Sequence, residues 1–395
     1  MRKNVKNNVS WVGKVDWELQ KFHGDEYSTH KGSTYNSYLV EEEKTVLIDT
    51  VWEPFAKEYV ENLMKEIDLN KIDYIIVNHG EVDHSGALPE LMKHIPDTPI
   101  YCTKKAVDSL KGQYHKDWNF NVVNTGDKLD IGNGKELIFV EMKMLHWPDS
   151  MATYMTEDNI LFSNDAFGQH YATEMLFNDL VDQCDLYQEA IKYFANILTP
   201  FNAILRKKLD EVISLNLPID IIATSHGVIW RDNPMQIVEK YVEWAKDYQE
   251  NQITIIYDTM WNGTKELAER IAEGIAIEDK EVVVKIFNLA KSDMNDLITE
   301  VFKSKTVAVG SPTIGSSVLH SIAGFIHYVK SMKFKNKRAA GFGCYGWSGE
   351  SPSVINERMK EAGFEIIGEG LRNKWNPDKD SKEAAVQFGR EIAKG

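Results

Sequence analysis

Apolar positions along the chain fall into two rhythms. Up to about residue 250, short runs rich in β-branched and aromatic residues are broken by helical stretches. STYNSYLV (33–40), TVLIDT (45–50), YIIVNH (74–79), TPIYC (98–102), ELIFVEMKM (136–144), ATYMT (152–156), NILFSND (159–165) and DIIATSH (220–226) predict strands. Segments 54–68 and 186–198 have helical spacing without an internal Gly or Pro. Strands outnumber helices here, so an αββα sandwich of two sheets with outer helices is the expected packing. Several of the strands end in His, Asp or Asn.

Beyond about Gln252 the rhythm becomes a regular alternation of buried strand and amphipathic helix. TIIYDT, VVVKIFNL, TVAVGSPT, RAAGFGCYG and FEIIGEGL predict five strands, with helices over 264–277, 318–332, 353–362 and 382–393. Crossover helices between successive strands make a five-stranded, parallel, doubly wound sheet. The expected boundary lies near residue 250, in AKDYQENQ, which gives domains 1–250 and 251–395.

Composition narrows the function classes. The 395 residues are 43% hydrophobic and 27% charged, typical of a soluble globular protein, and the net charge is −15. That sign disfavours nucleic acid and anionic membranes as partners. The basic first residues are not followed by an apolar core, and no run of 18 or more apolar residues occurs, so a cytoplasmic protein is expected. Cys102, Cys184 and Cys344 are far apart and no C-x-x-C occurs, which excludes a local zinc knuckle, a rubredoxin-type site or a ferredoxin-type cluster and disfavours a disulfide framework.

The strand YIIVN runs into His79-Gly80-Glu81-Val82-Asp83-His84, an H-x-E-x-D-H pattern. One His or Asp at a strand end is usually a cap or a satisfied core group. Four ligand-capable side chains in six residues are tolerable together when metal ions offset their charge. His146 (MLHWPDS), Asp165 (LFSNDAFGQH) and His226 (TSHGVIW) follow at later strand ends. The layout resembles the metallo-β-lactamase superfamily, whose hydrolase pattern is H-x-H-x-D-H with a zinc pair activating water. Here the second His is Glu81, and a hard carboxylate oxygen in place of an imidazole moves the site towards iron or manganese. Glu81, Asp83 and Asp165 with a bridging hydroxide would balance two divalent ions, with Asp165 as the expected bridge.

In the second half, TIIYD runs into Thr259-Met260-Trp261-Asn262-Gly263-Thr264 and then directly into a helix. A hydroxyl-bearing loop with a Gly at a helix N-terminus suits a phosphate. It has neither a P-loop lysine nor G-x-G-x-x-G, which points to flavin mononucleotide rather than a nucleoside triphosphate or a dinucleotide. Ser311-Pro312-Thr313-Ile314 and Tyr345-Gly346-Trp347-Ser348-Gly349 end two further strands, where open α/β sheets bind ligands. Trp261, Tyr345 and Trp347 offer aromatic faces to an isoalloxazine, and these loops look like those of the flavodoxins.

A lactamase-like half followed by a flavodoxin-like half resembles the flavodiiron proteins over essentially the full length. The resemblance implies reduction of dioxygen to water or of nitric oxide to nitrous oxide at a non-haem diiron site, with FMN as electron relay. Four electrons reduce dioxygen to two waters, and a diferrous pair with an FMN hydroquinone holds four. His23 (QKFHGDEY) and Tyr193 (IKYFANILTP) match that family's pocket-lining residues, while Trp147 and His170 are expected to support the ligands. The resemblance also implies a head-to-tail homodimer or dimer of dimers that pairs one subunit's FMN with the other's irons. With no Cys-rich extension in the sequence, an external donor is expected, rubredoxin first and a deazaflavin coenzyme second.

Two other readings compete with this one. One is a dinuclear zinc hydrolase with an appended flavodoxin domain, which Glu81 argues against. The other is a plain flavin electron carrier, against which stands the filling of all seven ligand positions.

Overall fold

A computed structural model describes residues 2–395. The chain divides into two compact units: the chain up to Tyr193 with Ala203–Glu243, and Phe194–Asn202 with Trp244–Gly395. Among the described residues no helix is long and apolar enough to cross a membrane.

The first unit holds a seven-stranded and a five-stranded sheet. Residues two apart along a strand share a face: Tyr38 and Val40, Val46 and Ile48, Leu137 and Phe139, Ile160 and Phe162, and Ile221 and Ala223 all enter one core. Alternate positions such as Leu39 and Leu47 are also fully buried, so the sheet is covered on both faces. The helix Ala56–Glu66 buries Tyr59, Val60 and Leu63 at helical spacing. Burial of each large core side chain is worth about 1.5–3 kcal/mol.

The run 33–40, which reads as one strand, is broken in the structure. Ser33–Tyr35 pairs with Lys14–Asp16 in a small separate sheet, while Tyr38–Glu41 joins the seven-stranded one. Asn36 causes the change of sheet. Its Oδ1 accepts from Trp11 Nε1 at 2.8 Å and its Nδ2 donates to the carbonyls of Thr224 and Gly227. The break brings Ser33 and Thr34 to the site described below.

In the second unit the parallel order is Val283–Asn288, Glu250–Tyr257, Ser304–Gly310, Arg338–Tyr345. The next position is shared by two short segments, Glu365–Ile366 and Leu371–Lys374, each parallel to Arg338–Tyr345. Gly368 and Gly370, at φ +64° and +93°, separate the two. The order is the doubly wound 2-1-3-4-5 arrangement, whose ligand crevice lies at the carboxyl ends of the strands.

Candidate metal centre and flavin site

All seven predicted donors lie at one end of the sandwich. His79 and Glu81 leave the strand Ile72–Ile76, and the short helix Val82–Ser85 carries Asp83 and His84. His146 follows the strand Lys135–Glu141, Asp165 lies one residue beyond Ile160–Asn164, and His226 two beyond Ile221–Thr224. The loop entering the motif is tied down by Asn78, whose carbonyl accepts from Met151 N at 2.8 Å and whose Oδ1 accepts from Thr153 Oγ1 at 2.7 Å. Asp49 accepts from the backbone N (2.8 Å) and side-chain Nδ2 (3.0 Å) of the same Asn78.

The donors form two sets, His79, Glu81, His146 and Asp165 in one, and Asp83, His84 and His226 in the other. Asp165 faces both. Its Oδ2 lies 3.7 Å from His79 Nε2 and 3.5 Å from His146 Nε2, whereas its Oδ1 lies 3.0 Å from His84 Nε2 and 3.7 Å from His226 Nε2. Glu81 Oε2 is 3.2 Å from His79 Nε2, and Asp83 Oδ2 is 3.0 Å from His226 Nε2. Asp165 Oδ2, Asp83 Oδ1 and His84 Nε2 are buried and make no hydrogen bond in the protein. Buried polar atoms left unpaired are costly, and such a convergent set of imidazoles and carboxylates fits two hard or borderline divalent cations.

Electrostatics in the cluster agree. Burial works against the charge on His84, but Asp83 and Asp165 push the imidazole up to about 9. Burial likewise opposes ionisation of Asp165, and His84 and His146 overcome it to hold the carboxyl well below its ordinary range. Protons thus balance the carboxylates where cations would otherwise do so.

His23 Nε2 reaches Glu81 Oε1 at 3.0 Å and is about one-third exposed, so it stands at the mouth of the site. Tyr193 is buried, its ring 5.4 Å from that of His170, which in turn lies 4.8 Å from His226. Burial raises the Tyr193 phenol well above its ordinary value. His170 Nδ1 lies 2.8 Å from Ser33 Oγ, and the Trp147 ring meets His79 edge-on at 5.1 Å. His226 Nδ1 donates to the Thr34 carbonyl at 2.6 Å, which leaves the Nε2 lone pair directed into the cluster beside Asp83 Oδ2. Ser225 Oγ, absent from the sequence reading, donates to Asp165 Oδ1 at 2.9 Å.

In the second unit a cavity of about 300 Å³ opens at the carboxyl ends of the strands. It is lined by Thr259, Met260, Trp261, Gly263, Thr264, Pro312, Thr313, Cys344, Tyr345, Gly346, Trp347, Trp375 and Asn376. The hydroxyls of Thr259 and Thr264 are buried and find no oxygen or nitrogen partner in the protein, as a phosphate cradle at the start of the helix Gly263–Glu278 requires. Asn262, Ser311, Ile314, Ser348 and Gly349 do not line the cavity. Ser311 accepts from Leu319 N and from Ser351 Oγ, which fixes one loop, and Gly349 takes φ +84° against the Tyr345 ring. Trp375 and Asn376 form a fourth wall, held by a bond from Trp375 N to the Tyr345 carbonyl at 2.7 Å.

Residues 34–227 match the family described as ODP family beta lactamase, and residues 255–389 match flavodoxin. The anaerobic nitric oxide reductase flavorubredoxin of Escherichia coli O1:K1 is 58% identical over 99% of this chain and 81% of its own length. The chain belongs to the flavodiiron proteins. Among solved structures, rubredoxin oxygen:oxidoreductase from Desulfovibrio gigas superposes with a TM-score of 0.95 at 33% identity, covering 100% of this chain and 98% of that one. The flavodiiron protein of Giardia intestinalis gives 0.95 at 32%, covering 100% and 96%. This flavodiiron protein is accordingly a flavoprotein oxidoreductase whose cofactors are FMN and a diiron pair, and both sites described above fit them.

Proposed function

We propose that the protein reduces nitric oxide to nitrous oxide, and dioxygen to water, with electrons relayed by FMN from an external rubredoxin-type donor. A deazaflavin coenzyme ranks second as donor. The observation that carries this reading is the division of the two Asp165 oxygens between two sets of buried donors. Nitric oxide stands first because relatives 58% identical are named nitric oxide reductases.

When bound, the irons supply open coordination positions and electrons for the gas, and FMN supplies the electron reserve. His79, Glu81 and His146 would hold one ion, Asp83, His84 and His226 the other, and Asp165 both. His23, about one-third exposed and paired with Glu81, can pass protons inward at Nε2. Tyr193 stays a neutral phenol, able to donate without ionising. Phe22, whose ring lies 4.3 Å from His23 and 4.7 Å from His170, and Trp147 exclude bulk water. In the second unit Thr259 and Thr264 would bind the flavin phosphate, and Tyr345 and Trp347 would bound its ring. A cytoplasmic, head-to-tail homodimer, or a dimer of such dimers, completes the reading.

The test is anaerobic titration of the reduced, iron-loaded protein with each gas, following flavin absorbance and iron together. Flavin oxidation at two nitric oxide consumed per electron pair supports the proposal. A zinc-filled protein that hydrolyses thioesters or lactams and leaves the flavin reduced would overturn it.

A further inference from the structure

Behind His79 stands a carboxylate to which the sequence reading gives no role. Asp149 is fully buried, and its Oδ1 lies 3.0 Å from His79 Nδ1, the nitrogen that faces away from the other donors. The contact is a close ion pair, and neither atom is hydrogen-bonded to any other group. The second oxygen, Oδ2, accepts from the backbone N of Gly80 at 3.1 Å, and the Asp149 carbonyl accepts from Thr103 Oγ1 at 2.9 Å. The carboxylate is therefore held at both oxygens, and its backbone is held at the carbonyl. Gly80 makes room for it, since a Cβ there would come within 2.8 Å of Asp149 Oδ2. On the other side of the cluster, His226 leans on a neutral backbone carbonyl, that of Thr34. His79 and His226, one ring from each donor set, thus have unlike backing.

We infer that Asp149 is a positioning residue which locks His79 as an Nε2 donor and makes the two metal positions unequal, strengthening the one that His79 shares with Glu81 and His146. This rests on the diiron reading above. A carboxylate accepting the Nδ1 proton fixes ring orientation and tautomer and increases electron donation from Nε2, and removing such a partner typically weakens metal binding about 10- to 100-fold. The carbonyl behind His226 fixes orientation with less charge, so the neighbouring position gains less.

The test uses the full-length holoprotein with Asp149→Asn, which keeps the volume and an acceptor but removes the charge, and with Asp149→Ala. Ferrous iron is withdrawn by graded chelator, and Mössbauer spectra are taken of the iron-loaded forms. In Asp149→Asn, half of the iron should leave at about 10- to 100-fold lower chelator strength while the other half leaves as in the parent. One of the two Mössbauer components should shift and the other stay. The melting temperature of the metal-free protein reports folding separately. Parallel loss of both irons, or withdrawal curves identical to the parent in both variants, would overturn the inference. Failure of the diiron reading is distinguishable, because it appears in the parent as a protein without two irons. In that event the same titration with zinc still reads Asp149 on its own.

Discussion

An imidazole nitrogen and a carboxylate oxygen rank metals differently, and position 81 is where this chain makes its choice. Glu81 contributes an oxygen to a set otherwise made of two imidazoles and the shared Asp165. Replacing it by His restores the nitrogen-rich set that suits zinc. Glu81→His should therefore purify with zinc displacing iron as the major metal and with gas reduction lost, read by metal analysis beside turnover. Asp165→Asn tests the bridge. Its amide nitrogen can no longer accept, so one donor set loses its shared oxygen, and the protein should keep less than half of the parent's iron and no measurable turnover, while a plain flavin carrier would keep its full activity. The seven donors were legible in the sequence because four fall within six residues and the others end apolar runs. Asp149 and Ser225 were not legible, since a lone Asp or Ser carries no periodic signal and gains meaning only through a neighbour distant in sequence. Trp375 and Asn376 were hidden for another reason: they follow a strand that Gly368 and Gly370 cut in two.

Elements, unlike single residues, were read best where their period is regular. The predicted helix 264–277 appears as Gly263–Glu278 and 382–393 as Lys379–Lys394. The two pack closely at Gly274 and Gly389, where a Cβ would strike the facing backbone. What periodicity could not give was the role of Lys337, which stands beside the strand Arg338–Tyr345 and is 3% exposed. Its Nζ donates to the carbonyls of Phe302 and Ser304 at 2.7 Å each and of Tyr248 at 3.1 Å. It thereby ties the end of the helix Met294–Lys303 to the adjacent strands. Lys337→Met preserves most of the volume but strands these acceptors, and should cost about 2–3 kcal/mol in denaturant unfolding. Burial lowers the amine from 10.5 to about 7, against the opposing pull of Asp247 and Glu250. Between those values the unfolded chain binds more protons than the folded one, so stability should rise with pH from about 7 to about 10.5. In Lys337→Met that rise should flatten, as a pH series of unfolding midpoints would show.

At the scale of the whole molecule, the flavin cavity belongs wholly to the second unit and the metal cluster wholly to the first. Electrons must therefore pass between two units, and they can do so within one chain or between two. The proposed head-to-tail dimer makes them pass between chains, a symmetric arrangement with two equivalent flavin-to-iron pairings. Two variants separate these routes. Asp165→Asn removes the iron function, and Thr264→Asp places a carboxylate where the flavin phosphate would bind, which should empty the flavin site by charge repulsion. Each homodimer should be inactive. A heterodimer purified through a different tag on each chain contains one intact pairing, the flavin of the first variant with the irons of the second, and one pairing broken at both ends. Its gas-reductase activity should be about half that of the parent dimer if electrons cross between chains. Were they to stay within a chain, every chain in that heterodimer would lack one cofactor and the activity would be nil, so a silent heterodimer that still holds flavin in one subunit and iron in the other refutes the crossed arrangement.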